Sequence, residues 1–152
     1  MYEELNPKIE QNDESLPMPE SQAVLANELN AGTHPFRIIE RKIEHGVKLK
    51  GKTGTYTRFE VRARPLDVDL APGKSLGVFF SYNLKTSAKC GEFIKNQGVT
   101  PEYLDGGRVS LSGLVGSCFE AEVVHTESQG VIYSNIDRDT LEHIECTKQG
   151  RL

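Results

Sequence analysis

Residues 55–64, TYTRFEVRAR, alternate without a break: Thr57, Phe59, Val61 and Ala63 fall on one side, and Tyr56, Arg58, Glu60, Arg62 and Arg64 on the other. A period of two is the signature of a strand with one apolar face, and such a strand must lay that face against a core. Pro65, which has no N–H to donate, stops it. This feature commits the chain to a sheet. Around it, residues 33–44 read as a first strand ending at His45-Gly46, and residues 75–82 (SLGVFFSY) as a third after the Pro72-Gly73 turn. From residue 86 to 96 the period changes, with Ala88, Cys90, Phe93 and Ile94 on one face of a helix. Residues 117–125 and 131–136 then form two strands about a hairpin turn at 127–130. Residues 137–146 permit either a helix or a further strand. At the other end, residues 21–29 suit a short helix capped by Ser21.

The order strand, strand, strand, helix, strand, strand permits a small sandwich, an open sheet with a helix, or a barrel. We read it as mainly β, an OB-fold-like barrel of about five strands with one helix between strands 3 and 4. The first 28 residues hold seven carboxylates against Lys8, with three prolines, and lack the apolar periodicity that offsets ordering entropy. They are expected to be an acidic, largely disordered tail, followed by a folded domain at 29–146 and a C-terminal tail at 147–152. An apolar content of 37%, low for a globular chain, points to such a segment or to a small, sheet-poor core.

No apolar run approaches the roughly 18–20 residues of a membrane span, and the N-terminus has neither the basic nor the apolar stretch of a secretory signal. Cys90, Cys118 and Cys146, odd in number and widely spaced, argue against a disulfide framework and for a reducing compartment. The expected protein is therefore soluble and cytoplasmic, with its cysteines acting as small buried hydrophobes.

Residues 46–53, GVKLKGKT, fit the phosphate-binding pattern G-x-x-x-x-G-K-[ST] letter for letter. That loop works only where a helix N-terminus follows it, so that backbone amides converge on phosphate. Here a glycine and an alternating strand follow, so the segment reads as a basic hairpin loop and not an ATPase site. His143-x-x-Cys146 has chelating spacing but no second paired cluster. The four histidines accompany no nucleophile turn. Neither catalysis, nor a metal, nor another cofactor is expected.

What remains is charge. Residues 37–64 carry nine cations against Glu40, Glu44 and Glu60, a local excess that the global net of −4 conceals. An exposed strand carries charge for solubility alone. Yet Arg58, Arg62 and Arg64 share a face with Tyr56, and Lys48, Lys50 and Lys52 occupy the adjoining loop. Cations along a phosphate backbone beside an aromatic platform are what single-stranded nucleic acid requires. In an OB-fold, the face of strands two and three and the loops 1–2 and 4–5 make such contacts. The candidate binding residues are thus Lys48, Lys50, Lys52, Tyr56, Arg58, Arg62 and Arg64. Tyr82 and Tyr133 are further stacking candidates, and Phe59, Phe79, Phe80, Phe93 and Phe119 are assigned to the core. The acidic N-terminal segment is expected to fold back over the basic groove and to be displaced by ligand.

Residues 114–125 (LVGSCFEAEVVH), the following GVIYSNI at 130–136 and the upstream NAGTHPFRIIE at 30–40 resemble recurring patterns of small phage-encoded single-stranded DNA-binding-like proteins with an OB-like core. The resemblance spans roughly residues 28 to 138. It implies a non-catalytic, sequence-independent single-stranded DNA-binding protein supporting phage replication or recombination. The partners it implies are single-stranded DNA, replication or recombination proteins and further copies of the chain. Proteins of this kind commonly carry an acidic C-terminal tail, whereas here the acid lies at the N-terminus. The alternative function is an OB-like adaptor that recruits phage or host proteins and never touches DNA.

Overall fold

The computed structural model describes residues 23–48, 51 and 53–146. Its strands are β1 (Gly32–Lys48), β2 (Thr55–Pro65), β3 (Leu76–Ser81), β4 (Glu102–Tyr103), β5 (Val109–Ser110), β6 (Cys118–Ser128), β7 (Val131–Ile136) and β8 (Glu142–Ile144), with one helix, α1 (Lys89–Asn96), after β3. The main sheet runs β3-β2-β1-β6-β7, with β8 also paired to β6, and every pairing is antiparallel. The fold is mainly β, as the period-two pattern required. The sheet is open: among the described residues no ladder joins β3 to β7, so the expected barrel does not close.

The inner face carries the core. Phe36, Ile38, Phe59, Val61, Ala63 and Phe119 are fully buried, and α1 sets Cys90, Phe93 and Ile94 against them. Phe93 stacks on Phe80 at 5.3 Å between centroids and meets Phe119 edge-on at 6.0 Å, so one helical ring joins the two halves of the sheet. Gly91 lets the link between β3 and α1 pass tightly against the helix, because a Cβ there would run into the Lys85 carbonyl. Burial raises the Cys90 thiol above its ordinary pKa, although a hydrogen bond with the Asn83 backbone opposes the shift. Gln97, buried at the end of α1, donates to Ser117 Oγ and to the Cys118 carbonyl, each at 2.9 Å.

Several boundaries differ from the sequence reading. β1 continues past His45-Gly46 to Lys48 by absorbing a bulge between Glu44 and Val47, with Gly46 at φ 72°. β6 likewise runs to Ser128, and the hairpin narrows to Gln129-Gly130. Both residues there have positive φ, which matches the twist of the flanking strands. The undecided segment 137–146 resolves into a 3-10 turn (Arg138–Thr140) and the short strand β8.

Residues 23–29 do not form the expected helix; Ser21, its assigned cap, lies outside the described residues. The amide of Ala26 donates to the Ile132 carbonyl, the Ser134 amide donates to the Val24 carbonyl, and Leu25 bridges to Tyr133. The outer edge of β7 needed backbone partners, and a nine-residue helix is too short to outcompete them. Val24 and Leu29 are buried, so the folded unit includes part of the segment read as tail.

The cysteine reading is corrected as well. Register places Cys118 opposite Ile144, which brings Cys146 within reach, and the two are joined in a disulfide with Cα atoms 5.3 Å apart. A separation of 28 residues along the chain carried no information about proximity across the sheet. The bond removes the argument from cysteine spacing to a reducing compartment. No helix among the described residues is long and apolar enough to cross a membrane.

Candidate nucleic-acid interface

The outer face of β1, β2 and β3 carries Tyr56, Arg58, Arg62 and Arg64 of the residues singled out for binding. Antiparallel pairing sets Glu44 opposite Arg58, Lys42 opposite Glu60, Glu40 opposite Arg62, and Arg37 opposite Arg64. Three of these four rungs join opposite charges, the arrangement that stabilises a sheet surface. Three of the nine cations of residues 37–64 therefore face a carboxylate across the strands.

Within this ladder the predicted cations have different fates. Arg62 is 5% exposed and Glu60 6%. Arg62 donates from Nη1 to Glu60 Oε2 at 3.0 Å, from Nε to Ser75 Oγ at 3.0 Å and from Nη2 to the Ser75 carbonyl at 2.6 Å. Gly77 makes the room, since a Cβ there would stand 2.5 Å from Arg62 Nη1 and 3.0 Å from Phe79 Cζ. Arg64 is turned to another structural use: Nη1 donates to the carbonyls of Ala71 (3.1 Å) and Lys74 (2.7 Å), and Nη2 to that of Leu70 (2.7 Å). It holds the loop between β2 and β3. The expectation that Arg62 and Arg64 lie open for phosphate is thus corrected: a guanidinium with five donors in a sheet-and-loop corner finds carbonyls and a carboxylate at once.

Arg58 is half-buried on the same face as Tyr56 and Phe79. Its Nε donates to Glu44 Oε1 at 3.0 Å, and its Nη2 donates to the same oxygen. Its guanidinium carbon lies over the Phe79 ring, 4.8 Å from the centroid. Phe79 is 38% exposed and belongs to the outer face, not to the core as assigned. The signal was present in the sequence, because Val78, Phe80 and Tyr82 alternate inward in 75–82 and so turn Phe79 outward. Lys42, half exposed, sits 3.8 Å from Glu60. Lys48 is exposed at the end of β1, and half-buried Tyr56 follows on β2 opposite Val47. Lys50 and Lys52 lie outside the described residues.

Of the other stacking candidates, Tyr82 packs inward against Phe59, with ring centroids 6.1 Å apart. Burial chiefly raises its phenol pKa, and the neighbouring Cys90 and Tyr103 add to this while the Arg41 charge opposes it. Tyr133 is held at the covered edge of β7. A groove of about 180 Å³ between α1 and residues 138–143 sets Lys89, Arg138 and His143 among Glu92, Asp139 and Glu142, a balance that favours no polyanion.

Comparison with known protein-family models returns no match for this chain, and comparison with curated proteins returns none either.

Proposed function

We propose that the protein binds single-stranded DNA without sequence preference, on the outer face of β2 and β3 and the basic β1–β2 connection. The observation that carries this reading is the half-exposed Phe79 ring beneath Arg58, on the face that also bears Tyr56. Aromatic rings stack any base, at about 1–3 kcal/mol each, and nearby cations follow the backbone. Lys42 supplies a cation on the rung of Glu60 and Phe79, Lys48 another at the end of β1, and Lys50 and Lys52 fall in the connection between β1 and β2. Arg62 and Arg64 support the platform from within.

The finer fold reading is an OB-type barrel whose last seam has no backbone ladder among the described residues. It is supported by the strand order, the helix after the third strand and the short links across the seam. Arg138, just after β7, donates to the Phe79 carbonyl on β3 at 3.0 Å, and Lys74 ahead of β3 pairs with Glu28. In such a fold the second and third strands form the binding face. Together with the resemblance in the sequence, this supports reading the protein as one that serves phage replication or recombination. The test is fluorescence titration with oligo-dT at several salt concentrations, on the wild type and on Phe79→Ala. Binding that weakens with salt and falls about 5- to 100-fold in the variant supports the reading. Absence of binding at low salt removes it and leaves the adaptor class.

A further inference from the structure

Arg58 has a partner on its edge and another beneath it, and these two contacts fix what it offers a ligand. We infer that Arg58 and Phe79 form a stacking surface for an unpaired nucleobase, with Glu44 as the positioning residue that matches the guanidinium's charge and fixes its plane. The inference rests on the single-stranded DNA reading and deepens it, by naming the chemical group that this part of the face takes.

Two donors of the guanidinium, Nε and Nη2, converge on the single oxygen Oε1 of Glu44. That fork, one of the two a guanidinium can offer a phosphate, is therefore taken, and only the Nη1–Nη2 edge is left. The Arg58 and Glu44 side chains are 30% and 26% exposed, so the pair is partly withdrawn from water, and a phosphate would reach this fork only by displacing a carboxylate already in place. The Phe79 ring meanwhile lies under the guanidinium at 4.8 Å. A base needs only a flat, polarisable surface, and both arginine planes and aromatic rings provide one. The charge of Arg58 is matched by Glu44, so binding here releases no counterion on its account. Lysine has no such plane and does not replace arginine in this role.

The experiment measures affinity and the log–log salt slope for oligo-dT, and affinity for an abasic phosphodiester of the same length. The double variant Glu44→Gln/Arg58→Gln keeps the net charge. It is expected to lose about 5- to 100-fold in affinity for oligo-dT with an unchanged slope; a slope shallower by about 0.7 means that Arg58 neutralised a phosphate, and overturns the inference. Arg58→Lys, a milder change checked for folding by circular dichroism, is expected to weaken oligo-dT binding and leave abasic binding unaltered. Equal losses on both ligands, or none on oligo-dT, also overturn it. On the unmodified protein the abasic oligomer is expected to bind at least tenfold more weakly than oligo-dT, and equal affinity contradicts a base-stacking surface. If the unmodified protein binds oligo-dT but the variants fail these expectations, only this assignment falls. If it does not bind oligo-dT at low salt, the functional reading falls and takes the assignment with it.

Discussion

Arg62 and Glu60 stand two residues apart on one face of β2 and meet at 3.0 Å, Nη1 to Oε2, with each side chain less than a tenth exposed. Their contact is structural. Replacing Arg62 by Met leaves the buried carboxylate facing Lys42 at 3.8 Å in place of its 3.0 Å partner, and is expected to destabilise the fold by about 3–5 kcal/mol. Urea denaturation measures this. The double variant Glu60→Leu/Arg62→Met is expected to regain most of the loss, because no unpaired charge then remains buried. A single variant of wild-type stability contradicts the assignment.

The cysteines give a thiol count. In denaturant without reductant one thiol, Cys90, is expected to react, and three after reduction; in the folded protein buried Cys90 is expected to resist. Cys118→Ser/Cys146→Ser is expected to lower stability by about 2–4 kcal/mol through the freed 28-residue loop. Three reactive thiols in unreduced, denatured protein contradict the bond.

Glu28 ties the segment before β1 to the body of the fold. Its Oε1 accepts from the Leu25 amide at 2.8 Å, and both of its oxygens accept from Lys74 Nζ, at 2.8 and 3.0 Å. The Leu25 amide first, and then Lys74, hold its pKa below the usual 4.5. A carboxylate with a lowered folded pKa contributes stability above its unfolded value, and that contribution disappears as pH falls through the folded value. Wild type is therefore expected to lose on the order of 1 kcal/mol as pH drops below about 4.5, relative to Glu28→Gln, which lacks the contribution throughout. Parallel pH profiles in thermal unfolding contradict this.

Residues 1–20 contain six carboxylates and one lysine. If they compete with nucleic acid for the basic face, their deletion tightens oligo-dT binding, most strongly at low salt where charge is least screened. Unchanged affinity across salt concentrations removes the competition.

These expectations show what the sequence could and could not reveal. The faces of β2 were legible because alternation is a local property: Phe59, Val61 and Ala63 are buried as their spacing required. The helix and the β6–β7 hairpin were legible for the same reason. Cross-strand register is not local. Nothing in residues 37–64 alone says that Glu44 meets Arg58 or that Lys42 meets Glu60, so cations that look available in the sequence are partnered in the sheet. The same blindness hid the Cys118–Cys146 bond and the pairing of Leu25 with Tyr133. Phe79 is a different case, since its outward direction follows from the alternation of its neighbours.

The central claim is that an exposed ring and its arginine, on the outer face of β2 and β3, hold unpaired DNA. It is tested most directly by titrating labelled oligo-dT and a duplex of equal length side by side at low salt, with wild type and Phe79→Ala. The account expects wild type to prefer the single strand, and expects Phe79→Ala to lose that preference about 5- to 100-fold while duplex binding stays the same. Equal binding of both DNAs by wild type, or a Phe79→Ala variant that binds oligo-dT as wild type does, contradicts it.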